Sequence, residues 1–492
     1  MSRAPRGWFV VQNTIPERQG ASSACELPGG HELRLDLWQG DWPTRIPEDL
    51  GPVIVTDRGG ATAAESATRK AVRDQLCQQH PQAWLDVDPR TDQPAPEGVP
   101  WILSRHFQED TAHAIESVVS EARERGASAA KVVLPSGTSL KRRLELLQEA
   151  RLSEFPCVAF AMSSLNHADR LWAMELHQPW GYLSSETTRE LLPGLPNNQE
   201  ILQRYCWDDL GPKAARYLIL GRDVRHSLSP DWHNRLFADH GIEARFYPWS
   251  TEDPEADMCS WTEAGFPQIQ GMAVTAPHKS WARKQGTGID RHCESHTAWN
   301  TLVFADRQYR GTSTDGAGAL DLISSISGNP GESLPQQVAI LGRGGAAQSV
   351  ATTLKEQGMN VVLHCRPGQL QRKSGPLDSF QICDQPAEIV NADLLINATG
   401  SDAQHSPDWP WSIDRFQGRA ALEMDYSRGE TAFERELKQN QGIPVWSGFD
   451  FFASQARLQA RHFHGLEVSL EDSLERVRVI RQQRQSGHYP TG

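Results

Sequence analysis

The stretch AAKVVLP, residues 129–135, sets one lysine, Lys131, where an alanine pair gives way to Val132, Val133 and Leu134, a run that reads as a buried strand. One reading leaves the ammonium group in water at the strand's edge, with its stem along apolar neighbours. The other strips its solvation, so that a neutral amine becomes accessible near neutral pH and attacks a ketone. Further polar groups follow: Ser227 and Ser229 in GRDVRHSLSPDWHN, Thr275 and Lys279 in GMAVTAPHKS, Asn300 in AWNTLV and Asp315 in GTSTDGAG. The two serines, two apart, point the same way in an extended segment. Singly these residues have plain readings, the serines as helix caps, Lys279 as surface and Asp315 as a turn.

VAILGRGGAAQSVATTL reads as strand, glycine turn and helix, with Gly342, Gly344 and Gly345 at the turn and Ala346 following. Such glycines let the backbone approach a pyrophosphate, and the helix N-terminus adds unpaired N–H groups and a partial positive charge. The next strand, NVVLHCRP, ends in His364, Cys365 and Arg366 rather than in an acidic residue. An arginine there favours a 2′-phosphate, hence NADP over NAD; its plain alternative is a solvated loop arginine.

The elements that must position these groups are legible as alternating short strands and helices. From about residue 30 to 165, HELRLDLW, PVIVTD, QAWLDVD, PWILSRHF, AAKVVLP and PCVAFAM alternate with charged stretches of helical spacing. Repeated β-then-α units imply a parallel sheet, and this density predicts a closed β/α barrel, an α/β fold of the TIM type. A Pro/Gly/Asn-rich passage before residue 212 reads as a connector. A second α/β series opens at YLILG, and a third follows the linker SGNPGESLP. A chain of 492 residues is expected to hold two or three domains.

A net charge of −13 offers no electrostatic footprint for nucleic acid or an anionic membrane. No apolar run approaches the roughly 18 residues that span a bilayer, and the N-terminus lacks a signal peptide's apolar core, so a cytoplasmic home is expected. The eight cysteines are scattered singly, as in reduced proteins. RHCESH groups His292, Cys293 and His296, but nothing nearby completes a metal site, and none is expected.

Taken together and in order, HSLSP with HN, VT-P-K, NT, TD-G, GRGGAA and INATG resemble shikimate dehydrogenase, as do YSRGET with Tyr426 and GFDFFASQA with Gln455. The resemblance covers about residues 214–468. It implies that Lys279 and Asp315 are the catalytic pair. Ser227, Ser229, Thr275, Asn300, Tyr426 and Gln455 would bind the substrate's carboxylate and hydroxyls, and Gly342, Gly344, Gly345, Ala346, Arg366, Asn397, Thr399 and Gly448 would serve NADP. It also implies a substrate-binding domain at 213–317, completed by 448–492, and a Rossmann domain at 318–447. Ala273, Trp299 and Ser313 depart from the family's pattern, which leaves a preference shifted toward quinate open.

The N-terminal half, residues 1–212, resembles type I 3-dehydroquinate dehydratase, a β/α barrel, through ELRLD (Glu32, Arg34, Asp36), TDRGG (Arg58), SRHFQEDT (His106), AAKVV (Lys131) and MSSLNHADR (Arg170). Alternation puts Glu32, Arg34 and Asp36 on one face. The resemblance implies that Lys131 forms an imine with the substrate ketone, that His106 is the general base and acid, and that Glu32, Arg34, Arg58 and Arg170 bind substrate. Asp88 stands where the family has a glutamate beside the histidine, Phe107 where Asp or Asn is common, and Leu191 and Leu195 where a serine and a glutamine close the site. The leading reading is a bifunctional enzyme for two consecutive steps. The alternatives are a shikimate or quinate dehydrogenase carrying a non-catalytic barrel, and a metabolite-sensing regulator on the same scaffold. Lys131, His106, Lys279 and Asp315 occurring together favour the enzyme.

Overall fold

Eight short strands pair in parallel in the N-terminal half: β1 (Gly7–Gln12), β2 (Gly29–Arg34), β3 (Val53–Thr56), β4 (Ala83–Val87), β5 (Trp101–His106), β6 (Ala129–Leu134), β7 (Cys157–Ala161) and β8 (Trp180–Ser184). Their order, β7-β6-β5-β4-β3-β2-β1-β8, is that of a nearly closed barrel with β7 and β8 at the seam. Gln178, just ahead of β8, bridges that seam with its side-chain amide: Oε1 accepts from the Ala159 N–H at 2.9 Å and Nε2 donates to the Ala159 carbonyl at 3.3 Å. A glutamine thus supplies the donor and acceptor that a ladder neighbour would give.

Strand β6 shows why a lysine can face the barrel. Ala130, Val132 and Leu134 turn outward and pack with helices α2 (Ala114–Glu124) and α3 (Leu140–Leu152), while Ala129 and Val133 turn inward among Phe9, Ile54, Ile102, Val158, Trp180 and Tyr182. Lys131 lies between the two inward residues. Full burial of Val132 and Leu134 contributes about 1.5–3 kcal/mol each, and a one-residue slip would turn both inward. The apolar row therefore fixes the direction of the charged one.

The computed structural model describes the chain outside residues 1–4, 15–28, 60–62, 81, 91–94, 163–167, 193, 208–209, 211–212, 290–292, 294, 327–332, 366–379, 384–388, 390, 401–410, 412, 427–428 and 486–492. It divides into two compact units, residues 1–214 with 241–243 and 253–268, and residues 215–240 with 244–252 and 269–492. Among the described residues no helix is long and apolar enough to cross a membrane.

The second unit holds two six-stranded sheets. In one, β9 (Ala215–Gly221), β10 (Ala244–Ser250), β11 (Ile269–Val274), β12 (Gly286–Gly288), β13 (Thr301–Ala305) and β14 (Gln308–Thr312) take the order β10-β9-β11-β13-β14-β12, with β13 antiparallel to β11 and β14. The other is parallel throughout: β15 (Gln337–Leu341), β16 (Asn360–His364), β17 (Gln381–Cys383), β18 (Leu394–Asn397), β19 (Ala420–Glu423) and β20 (Val445–Trp446), in the order β17-β16-β15-β18-β19-β20. Renumbered from β15, that order is 3-2-1-4-5-6, the Rossmann arrangement, and its switch point lies between β15 and β18. The glycine turn after β15 and the NATG turn after β18 meet there.

The C-terminal helices return to the first of these sheets. Phe452, Ala456 and Ala460 of helix Gly448–His464, with Val477 and Ile480 of helix Leu470–Gln485, pack on Leu228, Trp232 and Leu236 around helix α5 (Ser229–His240). That packing brings Gln455 and Arg484 to the polar motifs read above.

Candidate active sites

In the barrel, Lys131 Nζ lies 3.1 Å from Asp86 Oδ2, 3.7 Å from Glu32 Oε1 and 4.2 Å from the centre of the Tyr182 ring. Arg58 Nη2 donates to Asp86 Oδ2 at 2.5 Å and to Ser104 Oγ at 3.1 Å, and Thr56 donates to Glu32 at 2.8 Å. Two cations therefore face two carboxylates in a buried cluster. Burial pushes the Lys131 ammonium below its ordinary range, against the pull of Asp86 and Glu32. Burial alone would raise the Asp86 carboxyl, yet Arg58 and Lys131 hold it down to about 2. His106, at the end of β5, is pushed down to about 3 by burial and by the charges of Arg58 and Lys131, so its ring is neutral. Among the described residues, three buried polar atoms in this cluster, Asp86 Oδ1, His106 Nε2 and Arg58 Nη1, have no hydrogen-bond partner. Unsatisfied groups gathered beside a buried lysine mark the place of a polar ligand.

Arg170 lies over the Phe160 ring at 3.6 Å, and burial pushes its guanidinium down to about 10. Arg34 points the same way as Glu32 but closes on Asp36, at 2.9 and 2.6 Å, and Asp36 lies past the strand in the turn Leu35–Leu37. Asp88, just past β4, is held by Arg90 at 2.7 Å and Arg105 at 3.1 Å, whereas the aspartate that meets Lys131 is Asp86, two residues earlier. Asp86 went unread in the sequence, where no motif sets it apart from Asp88. Phe107 packs outward against the core shared with α2 and α3. Leu195 packs with Leu192 on the inward apolar cluster, while Leu191 is half exposed.

In the second unit, Lys279, at the start of a short helix after β11, donates to Asp315 Oδ2 at 2.5 Å. Asn300 organises the pair: its Nδ2 lies 2.8 Å from Asp315 Oδ1 and 3.0 Å from Gln455 Oε1, and its Oδ1 accepts from the Thr314 N–H at 2.8 Å. The Trp299 N–H donates to the Lys279 carbonyl at 3.0 Å, holding the lysine's backbone. Trp299 itself is wholly buried and lies against Gly311, so this departure from the family's pattern fills the sheet's core. Ser227 Oγ accepts from the Ser229 N–H at 3.2 Å and is hydrogen-bonded to Tyr426, whose phenol is raised by burial. Thr275 follows β11 directly, with its N–H on the Leu220 carbonyl.

Arg484 went unread in the sequence, since a single arginine in a charged C-terminal helix carries no motif. Its guanidinium donates to the carbonyls of His226 at 2.7 Å and Ser227 at 2.8 Å, and to Asp231 at 2.6 Å. It fixes the loop that presents both serines.

Of the residues expected to serve a dinucleotide, Gly342 and Thr399 meet at the switch point. Gly342 adopts φ +107°, a conformation glycine alone takes readily, and its N–H donates to the His364 carbonyl. Gly344 caps helix α9 (Gly345–Glu356) without a side-chain bond, and no described residue lies within 4 Å of where its Cβ would be. The first N–H groups of that helix, at Gly345 and Ala346, lack partners within the helix, and a donor set of this kind fits a pyrophosphate. Asn397 bonds Glu423 at 2.8 Å and accepts from the Thr399 hydroxyl at 2.7 Å, so it shapes the turn against Gly342. Gly448 lies against the Asp425 carbonyl, 2.1 Å from where a Cβ would be, which excludes any side chain. Arg366 lies outside the described residues, as does His292 of the RHCESH group. Cys293 bonds Thr312 and His296 bonds Ser349.

A Rossmann sheet with an open phosphate turn at its switch point, set beside a lysine–aspartate pair, defines a dinucleotide-dependent dehydrogenase. Residues 219–302 match the shikimate dehydrogenase substrate binding domain. The shikimate dehydrogenase (NADP(+)) of Pyrococcus abyssi is 31% identical over 192 residues, 37% of this chain and 67% of that protein. The chain belongs to the shikimate dehydrogenase family. Similarity also runs beyond that part: the shikimate biosynthesis protein AroDE of Chlamydia pneumoniae is 25% identical over 394 residues, 76% of this chain and 77% of that protein. The chloroplastic bifunctional 3-dehydroquinate dehydratase/shikimate dehydrogenase of Arabidopsis thaliana is 24% identical over 400 residues, 75% of this chain and 64% of that protein.

Proposed function

We propose that the protein is a bifunctional enzyme of shikimate formation, dehydrating 3-dehydroquinate in its barrel and reducing 3-dehydroshikimate to shikimate in its second unit, with NADP as cofactor. The observation that carries the first activity is the buried Lys131 beside three orphaned polar atoms, Asp86 Oδ1, His106 Nε2 and Arg58 Nη1. Lys131 attacks the C3 ketone, and the iminium draws electrons from the neighbouring C2–H bond. His106, neutral at pH 7, takes that proton and returns one to the departing C1 hydroxyl. Arg170 pairs with the substrate carboxylate, a charge that offsets its own burial.

For the second activity, Lys279 donates the proton to the ketone oxygen while Asp315 holds the lysine and the same oxygen. NADPH, when bound, supplies the hydride. Ser227, Ser229 and Tyr426 receive the carboxylate, and Thr275, Asn300 and Gln455 the ring hydroxyls. The substrates are small carboxylates, so neither nucleic acid nor membrane belongs to this reading, and a cytoplasmic setting goes with it.

Incubation with 3-dehydroquinate, followed by borohydride and peptide mass analysis, tests the first activity. An adduct on Lys131 is expected, and neither adduct nor dehydroshikimate absorbance would sink it. For the second, Gly344→Asp is expected to raise KM for NADPH by at least roughly tenfold, because a carboxylate enters the phosphate cradle without a steric clash. An unchanged KM for NADPH would place the cofactor elsewhere. Arg484→Met is expected to raise KM for shikimate about tenfold by loosening the Ser227 loop, with KM for NADPH unmoved. Equal changes in both constants would mean a general loss of packing.

A further inference from the structure

The Tyr182 ring beneath Lys131 has no part in the chemistry so far. Its centre is 4.2 Å from Nζ, and its hydroxyl accepts a hydrogen bond from Trp180 Nε1 at 2.8 Å, which fixes the ring's tilt. Phe160 meets it edge-on at 6.1 Å. Tyr182 is buried and takes the inward position on β8 two residues after Trp180.

Resting on the imine reading of the barrel, we infer that Tyr182 is a catalytic residue whose ring face stabilises the iminium cation on Lys131. When the amine adds to the ketone, the nitrogen lone pair becomes the new N–C bond. The carbonyl oxygen leaves as water with one proton from nitrogen and one from solvent, and nitrogen keeps the positive charge and a single hydrogen. The ammonium group has three donors for Asp86 and Glu32, whereas the iminium has one. Asp86, the hydrogen-bond partner at 3.1 Å, claims that single hydrogen, whereas Glu32 at 3.7 Å meets the nitrogen as a charge without a hydrogen bond. The ring's attraction needs no hydrogen, only a cation over the π face, and it is strongest where water is excluded. Of the three contacts to Nζ, the aromatic one thus adds to the carboxylates a stabilisation that does not depend on where the single hydrogen points. The other charges facing the nitrogen are Arg58, which opposes a cation there, and the neutral His106.

The test places phenylalanine and its mono-, di- and trifluoro analogues at position 182 of the full chain and measures kcat for 3-dehydroquinate dehydration and the yield of borohydride adduct on Lys131. Every member lacks the hydroxyl that Trp180 Nε1 meets and keeps the ring's shape, while fluorine drains the face of electron density, so the members differ in that face alone. Relative to Tyr182→Phe, the logarithm of kcat is expected to fall with each fluorine, and Tyr182→Leu to lose roughly 30-fold. A flat fluorine series with the parent adduct present overturns the role of Tyr182 and leaves the imine reading standing. No adduct in the parent protein overturns both.

Discussion

Lys131→Met is expected to abolish the 3-dehydroquinate adduct and to lower dehydration by roughly 10⁵-fold, while reduction of 3-dehydroshikimate proceeds at the parent rate. The size follows from what the lysine provides: a nucleophile held at the ketone, which converts a bimolecular step into an intramolecular one. Methionine keeps the length of the stem and removes only the amine, so the inward apolar row around Ala129 and Val133 remains packed. The substitution leaves Glu32 and Asp86 facing Arg58 without the second cation, and a buried charge that loses its partner costs about 3–5 kcal/mol. A lowered thermal midpoint for the barrel should accompany the lost activity. The double variant Lys131→Met with Asp86→Asn should recover part of that midpoint and none of the activity. Dehydratase activity retained in Lys131→Met would remove the imine mechanism altogether.

The pH profile carries a second expectation of the same site. An unperturbed histidine base would lose activity as pH falls through about 6.5. Burial together with Arg58 and Lys131 holds His106 down to about 3, so its neutral, proton-accepting form persists well below pH 6. The histidine limb of kcat/KM for dehydration should therefore be missing between pH 5 and 7. A limb near 6.5 that disappears in His106→Asn would show that the ring is solvated in the working enzyme.

What the sequence made legible follows from how local each feature is. Lys131 was readable because it is the lone charged residue in a short run of alanines, valines and leucine that reads as a buried strand. The glycine turn was readable because its chemistry is confined to one loop between a strand and a helix. The role of Asp86 was not, because Asp88 lies two residues further along and only the reach of Arg90, Arg105 and Arg58 separates the two carboxylates. Tyr182 and Arg484 were invisible for a related reason. Each acts across more than 50 residues of chain, Tyr182 on Lys131 and Arg484 on Ser227, and neither sits in a patterned neighbourhood. Leu195 looked like a lost polar contact, and its packing on the inward cluster is a tertiary fact that no spacing encodes.

For the second site the expected result is a division of labour between two residues that touch. Lys279→Met should lower kcat for reduction of 3-dehydroshikimate by about 10³-fold, the range of a positioned general acid, with little change in KM for NADPH. Asp315→Asn should lower it by about 10²-fold and also raise KM for the substrate, because Asp315 both orients Lys279 and meets the reacting oxygen. Asn300 links the two effects: its Nδ2 donates to Asp315 and to Gln455, so either an aspartate or an asparagine at 315 can accept there, and the change should not unfold the site. Since both residues serve one proton, their losses should not add, and the double variant should lie close to Lys279→Met alone. Full additivity would separate them into independent roles. In that case the 2.5 Å contact between them would be an ion pair that holds two helix N-termini together rather than the proton donor of the reaction.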